Sequence, residues 1–183
     1  MDRKLDATTK QVAQVMLVVI GSSPDRHQWL ADCSESINRE HIAVVNEGYE
    51  LGKIRWVMEN TTAERFLFLQ DSWIIKDDRF WTLLEGLSGS VAITDDPYYY
   101  GCYAGVYERW VIEKIGIPTI IDKADSISKE ITWHHQYFQA VGEMTVLFPE
   151  LRDANAILQV ERHGRVNLLL ENNYIAKYKG TWK

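Results

Sequence analysis

The residues best equipped for chemistry in this chain lie just behind runs of apolar sequence. Gln70-Asp71-Ser72 follows Phe66-Leu67-Phe68-Leu69. A carboxylate at the end of a buried strand is costly unless it binds something. One partner is a divalent cation carrying a diphosphate, since hard cations take carboxylate oxygens and share phosphate oxygens. The other is the backbone of a turn or of the next helix. Farther along, Arg162-His163-Gly164-Arg165 sets an imidazole, a possible second metal ligand beside Asp71, next to a guanidinium fork suited to anions. His163-Gly164 could equally be a plain hairpin turn. Arg165, Lys177 and Lys179 share this stretch, and from Gln159 to Lys183 the chain carries +3, against −9 for the other 158 residues. That local positive patch fits a small anionic ligand, or it is a solvated tail.

Missing motifs remove several chemistries. The chain has no GxxxxGK[ST], GxGxxG, GxSxG, HExxH or EF-hand loop, which argues against P-loop, dinucleotide-binding, serine-hydrolase and zinc-protease mechanisms. A net charge of −6 argues against a dedicated nucleic-acid binder. Cys33 and Cys102 form no CxxC pair, so a reducing, cytoplasmic setting is the default. No apolar run approaches the ~20 residues of a membrane span, and the polar start MDRKLDATTKQ is not a signal peptide. The 21 aromatic residues point either to a Trp-rich core or to a pocket that stacks rings.

These groups need a scaffold, and 183 residues suffice for one domain. Residues 1–12 read as a polar lead-in, and 13–183 as the domain. Short β-branched runs predict strands in VMLVVIGSS, 41–46, 65–72, 90–94 and 102–107. Between them the pattern predicts helices: one capped by Asp25, one over 51–60, one opened by Asp77-Asp78, one in ERWVIEKIG closed by Gly116, and one over 127–141. Residues 145–151 read as extended, and the last quarter mixes strand-like runs with basic residues. Alternating short strands and helices predict an α/β fold, a single mostly parallel, Rossmann-like sheet with helices on both faces. Ligands of such sheets sit beyond the carboxyl ends of the strands. The positions to watch are therefore Gly21-Ser22-Ser23, Asn46-Glu47-Gly48, Gln70-Asp71-Ser72 and Asp95-Asp96.

VVIGSSPDRHQWLADCSESI, followed by VVNEGYELGKIRWVMENTTAERFLFLQDSW, resembles the opening of glycosyltransferases of the glycosyltransferase-A fold. CYAGVYERWVIEKIGIP resembles their acceptor-side strand and helix, and HGR…KYKGTW their C-terminal segment. The order of these pieces over residues 15–182 carries the likeness, which extends to the small bacteriophage-type members. It implies a hexosyltransferase-type enzyme that uses a nucleotide-sugar donor, most often a uridine diphosphate sugar, with Mn²⁺ or Mg²⁺ and a saccharide or protein hydroxyl as acceptor. By the same resemblance, Gly21, Ser22, Ser23, Asn46, Glu47 and Arg55 would face the nucleotide. Gln70, Asp71 and Ser72 would stand at the acidic motif, and His163 would close the metal site with Asp71. Arg165, Lys177 and Lys179 would face the diphosphate. The family's motif has two acids, whereas Gln70-Asp71-Ser72 has one.

An inverting transferase needs a carboxylate to deprotonate the acceptor hydroxyl. The resemblance places Glu130 there, at the start of an aromatic helix and beside a Trp133-His134 platform, with Asp125 as the substitute. The competing role for Glu130 is a dipole acid in a first helical turn. Two other functions share the same architecture: a nucleotidyltransferase-like enzyme, and a non-catalytic nucleotide- or glycan-binding module.

Overall fold

Alternation along the strands decides which helix covers which face of the sheet. The computed structural model describes residues 16–46, 48–95, 104–151 and 167–179. In chain order its elements are β1 (Leu17–Ser22), α1 (His27–Ile37), β2 (Ile42–Val45), α2 (Tyr49–Asn60), β3 (Arg65–Gln70), β4 (Trp73–Ile75) and α3 (Arg79–Glu85). They continue with β5 (Val91–Thr94), β6 (Ala104–Glu108), α4 (Arg109–Ile115), α5 (Lys123–Val141), β7 (Thr145–Phe148), β8 (Asn167–Glu171) and β9 (Ile175–Lys179). Six strands form one sheet in the order β2-β1-β3-β6-β5-β7. Its pairs are parallel except those of β6, which runs antiparallel to β3 and β5. This is the expected mostly parallel α/β sheet.

Successive strand residues point to opposite faces, so an unbroken apolar run signals burial on both sides. Val18, Ile20, Leu67, Leu69, Val91 and Ile93 pack with α1 through Cys33 and Ile37, and with α3 through Phe80, Trp81 and Leu84. Val19, Phe66, Phe68, Ala92 and Tyr107 pack on the other face, against Leu51, Ile54 and Val57 of α2, Val111 and Ile112 of α4, and Trp133 and Tyr137 of α5. Helices therefore cover both faces. The aromatic excess goes mainly into this core: Trp29, Trp73, Trp81 and Trp133 are buried, while Trp110 is half exposed.

A second, three-stranded antiparallel sheet, β4-β9-β8, places the C-terminal segment. β4, which the sequence pattern did not reveal, begins three residues after β3 ends and pairs Trp73 with Lys177. The Tyr178 N–H donates to the Ser72 carbonyl at 2.9 Å. The chain's end is thus laid across the end of β3.

Two helix starts differ from expectation. Arg26, not Asp25, occupies the N-cap of α1, with no side-chain cap bond. α5 begins at Lys123, where Asp122 accepts the Asp125 N–H at 2.9 Å. Its first turns are polar and mostly exposed, so apolar periodicity starts only near residue 127. Glu130 consequently lies past the first turn of α5, too far in to act as a dipole acid.

Candidate functional site

Side chains from five elements converge beyond the carboxyl ends of β1 and β3. Asp71 follows β3, is 2% exposed, and donates its backbone N–H to the Gly21 carbonyl at 3.0 Å. Its carboxylate is fully engaged. Oδ2 accepts from Ser22 Oγ at 2.6 Å and from Arg26 Nε at 2.7 Å, and Oδ1 accepts from an Arg26 terminal nitrogen at 2.6 Å. This is a two-pronged guanidinium–carboxylate pair. Stripping the guanidinium from so buried a carboxylate costs about 3–5 kcal/mol.

Gln70 bridges the two signs of charge in the cluster. Its Nε2 donates to Glu50 Oε1 at 2.5 Å, and its Oε1 accepts from Lys177 Nζ at 2.6 Å. Lys177 also donates to Ser72 Oγ at 2.6 Å and lies 5.3 Å from the Trp73 ring. Burial pulls its pKa down to about 7, against the opposing pull of Asp71. Lys53 of α2 is 4% exposed. Among the described residues its ammonium has one acceptor, the Tyr49 carbonyl at 3.0 Å. Burial lowers the Lys53 pKa although Glu50, Asp71 and Glu130 all favour its charge. The Tyr49 backbone sits at φ 54, a strained conformation for a bulky residue.

Glu130 completes the cluster from α5. Burial first, then the neighbouring Glu50 carboxylate, pushes its pKa up to about 8, against the pull of the Ser126 hydroxyl and the Glu50 backbone N–H. Ser126 Oγ donates to Glu130 Oε1 at 2.5 Å. The turn is fixed from behind by His134, whose Nδ1 is 2.7 Å from the Glu130 carbonyl and whose Nε2 is 2.8 Å from Tyr107 Oη. A carbonyl can only accept, so Nδ1 carries the proton and Nε2 accepts from the tyrosine. Burial holds the His134 pKa down to about 4, so the ring is neutral.

The residues singled out in the sequence divide accordingly. Ser22, Gln70, Asp71, Ser72, Lys177 and Glu130 come together. Gly21 belongs to β1 and serves packing: a Cβ there would lie 2.5 Å from Phe68 Cζ and 2.8 Å from Lys53 Cδ. Ser23 forms the turn into α1, its carbonyl accepting the Arg26 N–H at 3.0 Å. Asn46 accepts the Gly48 N–H at 2.9 Å. Arg55 donates to the Ile117 carbonyl at 2.9 Å instead of joining the cluster. Asp125 is taken up by the Ile121 N–H at 2.9 Å and by Lys129 at 2.8 Å, and the Lys129 bond first of all holds its pKa down. Trp133 and His134 are each 1% exposed, so they form core behind Glu130 and no open platform. Cys33 is buried, with its thiol pushed up to about 12. Glu47, Asp96, His163, Arg165 and the side chain of Lys179 lie outside the described residues. Sequence reasoning missed Arg26, Glu50 and Lys53.

Among the described residues no group of three or more His, Cys, Asp or Glu side chains could hold a metal ion. Both oxygens of Asp71, the acid expected to ligate, are committed to Arg26 and Ser22. The described residues do not fit a metal centre.

No protein-family model matches the chain, and no curated protein sequence matches it. Among solved structures, the chain is similar to the glycosyltransferase GlyE of Streptococcus pneumoniae TIGR4, with a TM-score of 0.45 and 10% sequence identity over 78% of this chain. It spans 46% of that protein. Among the described residues, no helix is long and apolar enough to cross a membrane.

Proposed function

We propose that the chain is a glycosyltransferase, moving a hexosyl group from a nucleoside-diphosphate sugar to a saccharide or protein hydroxyl. One observation carries this: Glu130, a carboxyl group pushed up to about 8, shares a cluster at the strand ends with Arg26 and the buried lysines Lys53 and Lys177. Cations suit the diphosphate of a donor, and a carboxylate with a pKa near working pH suits proton removal from an acceptor. The residue order that resembles glycosyltransferase-A enzymes points the same way and makes a uridine diphosphate sugar the first donor to try. The two buried lysines favour catalysis on an anionic donor over glycan recognition alone.

In this mechanism ionised Glu130 takes the acceptor proton while the acceptor oxygen bonds to the sugar's anomeric carbon. The bond from that carbon to the diphosphate breaks, and its electron pair leaves on the phosphate oxygen. The departing charge is met by ammonium and guanidinium groups already in place, which need little reorganisation. Glu50 and burial keep the base strong, and Ser126 holds it. Release of nucleoside diphosphate from a panel of nucleotide sugars, measured with and without acceptor, tests the reading. Turnover of one donor that vanishes in Glu130→Gln supports it, whereas nucleotide binding without turnover of any donor leaves a binding module.

A further inference from the structure

Two cations of the strand-end cluster, Arg26 and Lys53, keep hydrogen-bond donors with no acceptor among the described residues. Arg26 gives Asp71 its Nε–H and one terminal N–H, and its remaining N–H groups have no acceptor among the described residues. Its side chain is 30% exposed. Lys53 is 4% exposed and gives one N–H to the Tyr49 carbonyl. Its other two have no acceptor among the described residues. A buried ammonium short of acceptors is costly; burial lowers the Lys53 pKa even though Glu50, Asp71 and Glu130 favour its charge, and Arg26 opposes it. The fold nevertheless makes room for it: Gly21 lacks the Cβ that would strike the Lys53 stem at 2.8 Å. An anion placed between Arg26 and Lys53 would fill the empty donor positions and offset the repulsion. Among the described residues a divalent cation has no comparable place, because the Asp71 oxygens are already taken.

We infer that Arg26 and Lys53 together form the diphosphate seat of this protein, and that the seat works without a divalent cation. The inference rests on the glycosyl-transfer reading for its ligand and departs from the metal that the sequence resemblance implies. Arg26 offers the planar fork that phosphate oxygens match, held rigid by Asp71. Lys53 offers a buried point charge.

Calorimetric titration of the full chain with inorganic pyrophosphate and with uridine diphosphate tests this, first in EDTA and then in Mn²⁺. Both probes should bind in EDTA, with Mn²⁺ changing affinity by less than about threefold, and Lys53→Met should weaken both by about tenfold or more. Urea unfolding of Lys53→Met should remain cooperative, separating lost binding from lost fold. Arg26→Lys keeps the charge but loses the fork, and should also weaken both probes. The double variant Arg26→Met/Asp71→Asn removes the pair without stranding a buried charge, and should bind no better than Arg26→Lys. Binding that requires Mn²⁺, or wild-type affinity in Lys53→Met, overturns the internal seat and leaves glycosyl transfer standing. Failure of both probes to bind in either buffer overturns the seat and the nucleotide-sugar reading together.

Discussion

Glu130→Gln, paired with Glu50→Gln, separates a base from a structural carboxyl. Gln at 130 keeps the size and can still accept from Ser126, but it cannot take a proton. General-base help is worth about 10²–10⁴-fold, so turnover should fall by that order while donor affinity stays near wild type. The pH profile carries the sharper test. Glu130 stands at about 8 instead of 4.5, with burial the largest cause and Glu50 the next. Wild-type turnover should therefore climb with pH through an inflection near 8. Gln at 50 can still accept from Gln70, but it removes the neighbouring charge, which is worth ~1 pKa unit at this range. The Glu50→Gln inflection should move down by that amount, with turnover at pH 6.5 raised relative to its own plateau. Initial rates of diphosphate release across pH 5.5–9.5 read both effects. A loss under about threefold in Glu130→Gln, or a profile that Glu50→Gln leaves unmoved, refutes the assignment.

Three further expectations concern stability. His134 is buried neutral with its pKa lowered from 6.5 to about 4. Its contribution is present above pH 6.5 and lost as pH falls toward 4, about 3 kcal/mol at 1.36 per unit; urea midpoints at pH 7.5 and 4.5 should diverge less in His134→Gln than in wild type. Gly21→Ala puts a methyl 2.5 Å from Phe68 Cζ and should cost about 1–3 kcal/mol through overpacking; a urea-derived loss below about 0.5 kcal/mol would contradict the close approach. Gln70→Glu sets a carboxylate against Glu50 and should cost about 1–3 kcal/mol, more at pH 8 than at pH 5; a melting deficit independent of pH would mean that the amide carries no charge-bridging role.

The scaffold was readable because its signals are local. FLFL can be buried on both faces only in a covered sheet, and the alternation of Phe66 and Phe68 with Leu67 and Leu69 onto opposite faces follows from strand geometry. Asp71, Gln70 and Lys177 stood out by type and position. Their partners did not. Arg26 sits in a turn and looks like any surface arginine until the Asp71 pair forms across 45 positions. Lys53 lies in an amphipathic helix where a lysine is normally solvated, and its burial depends on a glycine in another strand. β4 is three residues long, too short for periodicity, and exists because β9 pairs with it. The start of α5 was misplaced because capping by Asp122, rather than hydrophobic spacing, fixes it.

Gln70 is where sequence and structure explain each other. The resemblance leads one to expect an acid in this motif, and an acid at 70 would face Glu50 across the 2.5 Å now spanned by an amide N–H. That would put two carboxylates together, with Glu130 as a third. The amide avoids this by presenting opposite dipole ends to opposite charges: N–H to Glu50 and carbonyl oxygen to Lys177. The result is a continuous path from Lys177 through Gln70 and Glu50 to Glu130. Along it hydrogen bonds tie Lys177 to Glu50 through Gln70, and the Glu50 charge acts on Glu130. A site built this way needs its positive charge supplied by side chains, and Asp71 is then free to orient Arg26. On the proposed metal-free diphosphate seat, the missing second acid and the Arg26–Asp71 pair follow together, because the anion is then held by the protein's own cations.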